Sequence, residues 1–319
     1  MTAAKIAEIL KEKSNFAITF HVMPDGDSVG SSLALYNVLK RSNKNVDVFS
    51  SDKVPDVFSY LPGYDSIKDC SLIGKNAYDA LIIIDSGDYE RIGKCADIKA
   101  NITVNIDHHA TNDLYADINF VDMNSAAAGE LIYQIIKLME PEIQKDEAAC
   151  LYTAILTDTG GFRYSNTTPL THLIAGKLIS TGIAFSGIHD IIYRNFEYDS
   201  IKLLGKVLES IELHYRGRIA FMKLLKSDIG NIDISNISTT DFINYGRDIK
   251  SVECAAFIKE TGAGEFKVSL RSKNYVDVKS VCEKFGGGGH IRAAGCTIKG
   301  NFENAKKSIL DELAKALKE

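Results

Sequence analysis

Ile102, Val104 and Ile106 alternate with polar residues in NITVNIDHH (101–109). That period of two predicts a strand with one face on a core. NFAITFHV (15–22) and NVDVFSSD (45–52) predict two more strands. YDALIIIDSGD (78–88) holds an unbroken apolar run from Leu81 to Ile84, the pattern of a strand buried on both faces. Helical periodicity fills the intervals. Residues 4–12 form a short amphipathic stretch, and 27–43 reads as a helix capped by Asp27 or Ser28. Further helices are predicted over 124–139, 146–158 and 167–182. Strands alternating with helices predict an α/β domain, a mainly parallel sheet with helices on both faces.

The pattern changes near residue 184. Residues 186–210 are helical and mixed in charge, and they read as a linker after a first domain over 1–185. Hairpin pairs follow, with turns at Arg216-Gly217 and at Thr261–Gly264. The helical VDVKSVCEKF, a run of four glycines and a final helix over about 302–318 complete a smaller α+β domain, 211–319.

The 319 residues are 45% hydrophobic and 25% charged, enough for a sizeable core in each domain. The net charge of −5 argues against a long nucleic-acid groove, because each phosphate contact favours Lys or Arg. A small anion in a local pocket remains compatible with it. The six cysteines form no C-x-x-C pair; they are expected as buried free thiols in a reducing, cytoplasmic setting. No apolar run approaches about 18 residues, so no membrane span is expected.

The chemistry collects at strand ends, where open α/β sheets bind ligands. The first strand leads into His21, Asp25 and Asp27, the third into Asp85, and the fourth into Asp107, His108 and His109. The helix over 146–158 ends on Asp158. Singly, each has a plain reading: Asp25-Gly26 is a common turn and Asp27 a good cap. Together, these carboxylates and imidazoles at one sheet edge would repel one another unless cations neutralised them. Oxygen and imidazole donors without thiolate suit Mn²⁺, Mg²⁺ or Fe²⁺. Four carboxylates match two divalent ions, the arrangement that activates water and clamps a phosphoryl group.

HVMPDGDSVGS, DSGD, DHH and TDTGGFRYS resemble the successive motifs of the DHH phosphoesterase superfamily, and GGGGHIRAAG (286–295) resembles the signature of its DHHA1 domain. The pattern is similar to that of the NrnA-type oligoribonucleases, which also dephosphorylate 3'-phosphoadenosine 5'-phosphate (pAp). The resemblance implies two Mn²⁺ ions, with Mg²⁺ or another divalent ion as a substitute. It assigns His21, Asp25 and Asp85 to one ion and Asp27, Asp85, His109 and Asp158 to the other. It places His108 at the phosphate as donor or acid, with Asp107 orienting a histidine or acting as a ligand. The reaction implied is two-metal attack of a bridging hydroxide on short RNA, giving mononucleotides, or on pAp, giving AMP.

In the second domain, Gly286–Gly289 can expose backbone N–H groups to a phosphate. Gly287, Gly288, Gly289, His290 and Arg292, together with Arg271 and Ser272 at a strand end, are expected to grip the far end of the substrate across a cleft. Arg163, between Phe162 and Tyr164, is a further candidate, the two rings being able to stack a base or to pack the core edge. Tyr115 and Phe120 read as packing. The helix face in NSAAAGELIYQII offers a surface for a homodimer. Three competitors are a type II inorganic pyrophosphatase, a phosphodiesterase of linear or cyclic dinucleotides, and a nucleotide-binding module without turnover. The GGGGH-bearing domain argues against the first and the full acidic set against the third.

Overall fold

The structure, a computed structural model, describes residues 2–74, 77–140, 142–234 and 237–317. The chain divides into two compact units, one ending at Asn195 and the other beginning at Phe196. The first contains α1 (Ala3–Glu12), β1 (Asn15–Phe20), α2 (Gly26–Arg41), β2 (Asn45–Ser50), β3 (Ile67–Asp69), β4 (Ala80–Ile84), β5 (Thr103–Asp107), β6 (Ile118–Val121), α3 (Ala128–Met139), α4 (Lys145–Asp158), α5 (Pro169–Ile179) and α6 (Phe185–Tyr193). Its six strands are all parallel, in the order β3-β2-β1-β4-β5-β6. The order reverses between β1 and β4, which is where a doubly wound sheet opens its ligand crevice.

Alternation along the strands explains the two layers. Phe16, Ile18, Phe20, Ile82 and Ile84 join Leu33, Leu131 and Leu151 of α2, α3 and α4 in the larger core. Ala17, Leu81 and Ile83 point the other way, onto Phe49, Ile92 and Ile98. That second face is covered by short 3-10 segments, Cys70–Leu72 and Glu90–Asp97, in place of long helices. Cys70 and Cys95 from those segments are bonded as a disulfide, with Cα atoms 5.4 Å apart. This corrects the expectation of six free thiols. Cys150, Cys254, Cys282 and Cys296 are free and buried. The pairing arises from the covering segments meeting over the sheet, which a separation of 25 residues does not reveal.

Glycines allow α2 and α3 to approach α4. A Cβ on Gly26 would sit 2.5 Å from the Thr157 side chain, one on Gly30 2.5 Å from the Cys150 carbonyl oxygen, and one on Gly129 2.8 Å from Ala154 Cβ. The apolar face of α3 is therefore spent inside the unit: Leu131, Ile132, Ile135 and Ile136 are fully buried. The surface expected there for a second copy is taken by the chain's own core.

The second unit contains α7 (Tyr198–Glu209), β7 (Glu212–His214), β8 (Ile219–Leu224), α8 (Lys226–Ile229), α9 (Phe242–Arg247), β9 (Cys254–Gly262), β10 (Glu265–Ser272), α10 (Val278–Glu283), β11 (Gly288–His290), β12 (Ala293–Lys299) and α11 (Phe302–Ala316). Its sheet runs β11-β12-β10-β9-β8-β7, antiparallel except for the β8–β9 pair. Residues 186–210, expected as a linker, divide between the units. Ile188 of α6 packs into the first core, and Leu203 and Val207 of α7 pack under the second sheet.

Candidate metal centre

The register of β1 and β4 builds the start of the site. Phe20 pairs with Ile84, so the next residues, His21 and Asp85, emerge side by side. Asp85 has φ +59°, a left-handed conformation that a non-glycine residue adopts at a cost. Its N–H is held by the Ile106 carbonyl of β5 at 2.9 Å. The carboxylate is 2% exposed. Its Oδ2 lies 3.4 Å from His21 Nε2 and its Oδ1 3.5 Å from His108 Nε2. Oδ1 is buried with no hydrogen-bond partner, a cost of about 1–3 kcal/mol unless a ligand satisfies it.

Each of these two histidines hands its Nδ1 to a backbone carbonyl, His21 to Val22 at 2.7 Å and His108 to Ser125 at 3.2 Å. A proton on Nδ1 leaves the Nε2 lone pair aimed at the carboxylates, the tautomer a metal-ligating imidazole needs. Around His21 stand Asp25 Oδ1 at 3.6 Å and Asp85. Around His108 stand Asp27 Oδ2 at 3.6 Å, Asp158 Oδ2 at 3.7 Å and Asp85.

The carboxylates are fixed by helix ends. Asp25, and neither Asp27 nor Ser28 as expected, is the N-cap of α2; its Oδ1 accepts the Ser28 N–H at 3.0 Å. Asp27 is 1% exposed. Its Oδ2 accepts the Ala128 N–H at 2.6 Å, and its Oδ1 accepts the Gly129 N–H at 3.0 Å and the Ser31 hydroxyl at 2.9 Å. The N–H groups that open α3 thus hold the Asp27 carboxyl group. Asp158 closes α4 at the end of its helix dipole that disfavours a carboxylate.

His109 is placed differently. Its Nδ1 contacts Asp107 Oδ1 at 2.7 Å and Asp85 Oδ1 at 3.6 Å. Asp107 is fully buried, and its Oδ2 accepts the Asn112 amide at 2.6 Å. The structure therefore brings His108, where His109 was expected, into the group with Asp27 and Asp158. His109 is also the more open of the two, with 37% of its side chain exposed against 13% for His108.

The electrostatics describe a site short of positive charge. Burial opposes the charged form of His21, but Asp25 and Asp85 outweigh it and raise its pKa to about 10. Burial likewise opposes a charged His108, and Asp85, Asp27 and Asp158 raise it to about 10. The hydrogen bond to Asp107 raises His109. Burial and the charges of Asp85 and Asp158 push Asp27 well above the carboxylate range. Burial raises Asp158 to about 6, against the pull of His108. Burial also raises Asp25, but His21 and the Ser28 N–H more than reverse this and hold it at about 2. Burial acts upward on Asp107 too, and His109 and Asn112 bring it below its usual range. Protons supply the countercharge that divalent ions would otherwise provide.

Three sets of ligand atoms lie mutually within 4.8 Å: His21, Asp25 and Asp85; Asp27, His108 and Asp158; and Asp85, His108 and His109. The donors are oxygen and imidazole nitrogen throughout, and neighbouring ligands of one ion 2.0–2.2 Å away stand roughly 3–3.5 Å apart. The residues fit two divalent ions sharing Asp85.

The aromatic candidates of this unit separate. Phe162 stacks on His172, with ring centres 5.3 Å apart, and packs on Tyr152 at 6.1 Å. Tyr115 donates its hydroxyl to the Ser86 carbonyl at 3.0 Å, and Phe120 is buried. Tyr164 remains 58% exposed, its ring set against Gly160, where a Cβ would come within 2.4 Å of it. Arg163 is exposed.

In the second unit the glycine run is folded, not open. The Gly286 and Gly287 N–H groups close α10 by donating to Glu283 and Cys282 carbonyls. Gly288, Gly289 and His290 form β11 against β12. A Cβ on Gly287 would lie 2.2 Å from the Gly295 carbonyl oxygen. Close packing is thus one reason for Gly287 and Gly289. Arg271 and His290 both pair with Ala293, from opposite sides. Directly paired residues share a sheet face, so the two side chains stand roughly 10 Å apart with only a methyl between. The Ser272 hydroxyl donates to the Val276 carbonyl at 2.6 Å, and Arg292 Nη1 donates to the same carbonyl at 2.9 Å. Among the described residues, no helix is long and apolar enough to cross a membrane.

The sequence pattern of the DHH family, N-terminal domain, matches residues 15–155, and that of the DHHA1 domain matches residues 219–319. The chain is 32% identical to a Thermus thermophilus protein named bifunctional oligoribonuclease and PAP phosphatase NrnA, over 98% of this chain and 94% of the other. A Bacillus subtilis protein of the same name is 26% identical over 91% of each chain. Among solved structures, an exopolyphosphatase-related protein from Bacteroides fragilis superposes with a TM-score of 0.89 at 28% identity, covering 98% of this chain and 95% of that one. With both family patterns in order and a full-length relative at that identity, the chain belongs to the DHH phosphoesterase family of hydrolases, carrying a DHH domain followed by a DHHA1 domain.

Proposed function

We propose that the protein is a two-cation phosphoesterase that degrades short oligoribonucleotides to mononucleotides and converts pAp to AMP. The observation that carries this reading is Asp85, buried, with one oxygen turned to His21, the other to His108, and Oδ1 without a hydrogen-bond donor. The names of the Thermus and Bacillus relatives supply the substrate class. Mn²⁺ is the proposed ion, because the donor set mixes carboxylate and imidazole.

His21, Asp25 and Asp85 would hold one ion; Asp27, Asp85, His108 and Asp158 would hold the other. When bound, the pair would supply Lewis-acid activation of water and neutralise charge on the phosphoryl oxygens. His109, its Nδ1 kept by Asp107, has Nε2 free to serve the phosphate or the departing oxygen as donor. This exchanges the roles expected for His108 and His109. Arg271, His290 and Arg292 bind the remaining part of the substrate, Arg271 by bidentate contact with a phosphate. The buried Ser272, the closely packed Gly287 and Gly289, and Gly288 between them shape that surface.

The test is hydrolysis of a panel with Mn²⁺: pAp, 5'-phosphorylated RNA of two to five nucleotides, linear and cyclic dinucleotides, pyrophosphate and short polyphosphate. Turnover of pAp and short RNA supports the reading. Preference for a dinucleotide or for an inorganic substrate replaces it.

A further inference from the structure

Asn166 joins two parts of the site through its side-chain amide. Its Nδ2 donates to the Ala126 carbonyl at 3.0 Å and to the Asp158 carbonyl at 3.1 Å. Two carbonyl acceptors fix the amide's orientation, since only its NH₂ end can serve both. Its Oδ1 is buried without a partner, so the side chain keeps this pose for the two bonds it donates.

Ala126 is held on its N-terminal side as well. Its N–H donates to Glu130 Oε2 at 3.1 Å, from a carboxylate that is 1% exposed. Glu130 Oε1 also lacks a partner. On either side of this residue the backbone serves the metal centre. The Ser125 carbonyl holds His108 Nδ1 at 3.2 Å, and the Ala128 and Gly129 N–H groups hold Asp27. Residues 125–129 thus orient two members of the Asp27–His108–Asp158 group, and Asn166 ties that strip to the main chain of the third.

We infer that Asn166 is a positioning residue that sets the spacing of Asp27, His108 and Asp158 for one cation, with Glu130 locking the adjoining peptide. The inference rests on the two-cation reading. Groups that orient metal ligands from outside are worth about 10–100-fold in affinity. The hydrogen bonds from residues 125–129 go to His108 and Asp27 and not to His21 or Asp25, so the larger effect falls on one ion.

The experiment is calorimetric titration of Mn²⁺ alone into the metal-free full chain, with metal-free Tm measured in parallel. Wild type is expected to bind two ions. Asn166→Asp keeps the size and removes both donors; it should bind one ion with wild-type affinity and the other about 10–100-fold more weakly. Glu130→Gln retains an oxygen for the Ala126 N–H and should behave as wild type, whereas Glu130→Leu should follow Asn166→Asp. If Asn166→Asp does not fold, the two Glu130 variants make the same comparison. Two ions bound with wild-type affinity in Asn166→Asp or Glu130→Leu, even with a lowered Tm, overturns the inference. So does equal weakening of both ions. A wild type that binds fewer than two ions overturns the two-cation reading itself.

Discussion

Asp85 Oδ1 stands 3.5 Å from His108 Nε2, while Oδ2 of the same carboxylate stands 3.4 Å from His21 Nε2. One side chain therefore serves both histidine groups. Asp85→Asn keeps the shape and suits the left-handed backbone, which Asn tolerates better than Ala. Cation stoichiometry should fall below two, and kcat should fall by at least about 10³-fold. Retained turnover at two ions per chain would refute the sharing of Asp85.

The two histidines should separate in a variant pair. His108→Gln should weaken cation binding together with kcat. His109→Gln and Asp107→Asn should keep both ions and lose kcat alone, about 10²-fold or more. Metal content by atomic emission beside steady-state kinetics makes the comparison; loss of metal in His109→Gln would restore the assignment expected from sequence.

Metal-free stability should fall as pH rises. Asp158 titrates at about 6 in the folded chain against an ordinary 3.8, and His21 and His108 at about 10 against 6.5. A folded pKa above the unfolded one contributes stability below the unfolded value, lost as pH climbs through the folded value. These groups therefore all act in one direction between about pH 4 and pH 10. Asp25, depressed to about 2, acts oppositely, and only below pH 4. In chelator, Tm should be lower at pH 9 than at pH 6, and Mn²⁺ should narrow the gap. A Tm in chelator that is flat or rises over this range contradicts the account.

Gly30→Val should destabilise the first unit by about 1–3 kcal/mol, the usual cost of overpacking, because its Cβ would meet the Cys150 carbonyl at 2.5 Å. Since α2 carries Asp25 and Asp27 and α4 carries Asp158, cation affinity should fall with it. Denaturant unfolding and Mn²⁺ titration read the two effects; unchanged values in both would mean that the helices tolerate wider spacing.

Arg271→Ala or His290→Ala should raise KM for pAp more than it lowers kcat, at unchanged metal content. Loss of bound metal in either variant would mean that the second unit's role has been misassigned.

The strands that carry chemistry were legible because a buried parallel strand writes itself as an apolar run that stops at a polar group. Leu81–Ile84 followed by Asp85 is the clearest case. The edge strands β3 and β6, three and four residues long, left too short a pattern to read. The choice between His108 and His109 was not legible either. It depends on which ring finds the Ser125 carbonyl and which finds Asp107, and both partners are set by tertiary placement. Helix periodicity located α3 but could not say that its apolar face would close on α2 and α4 instead of a second copy. Asn166 carried no signal at all: a polar residue in a turn looks the same whether it faces water or joins two carbonyls.

The most direct test is the rate of AMP release from pAp as free Mn²⁺ is varied, after exhaustive chelation. Two shared-ligand cations require no release in chelator and a rate that climbs with the square of Mn²⁺ concentration at low occupancy, with that metal-dependent rate lost in Asp85→Asn. Release undiminished by chelation, or none at full occupancy by metal, would contradict the two-cation reading.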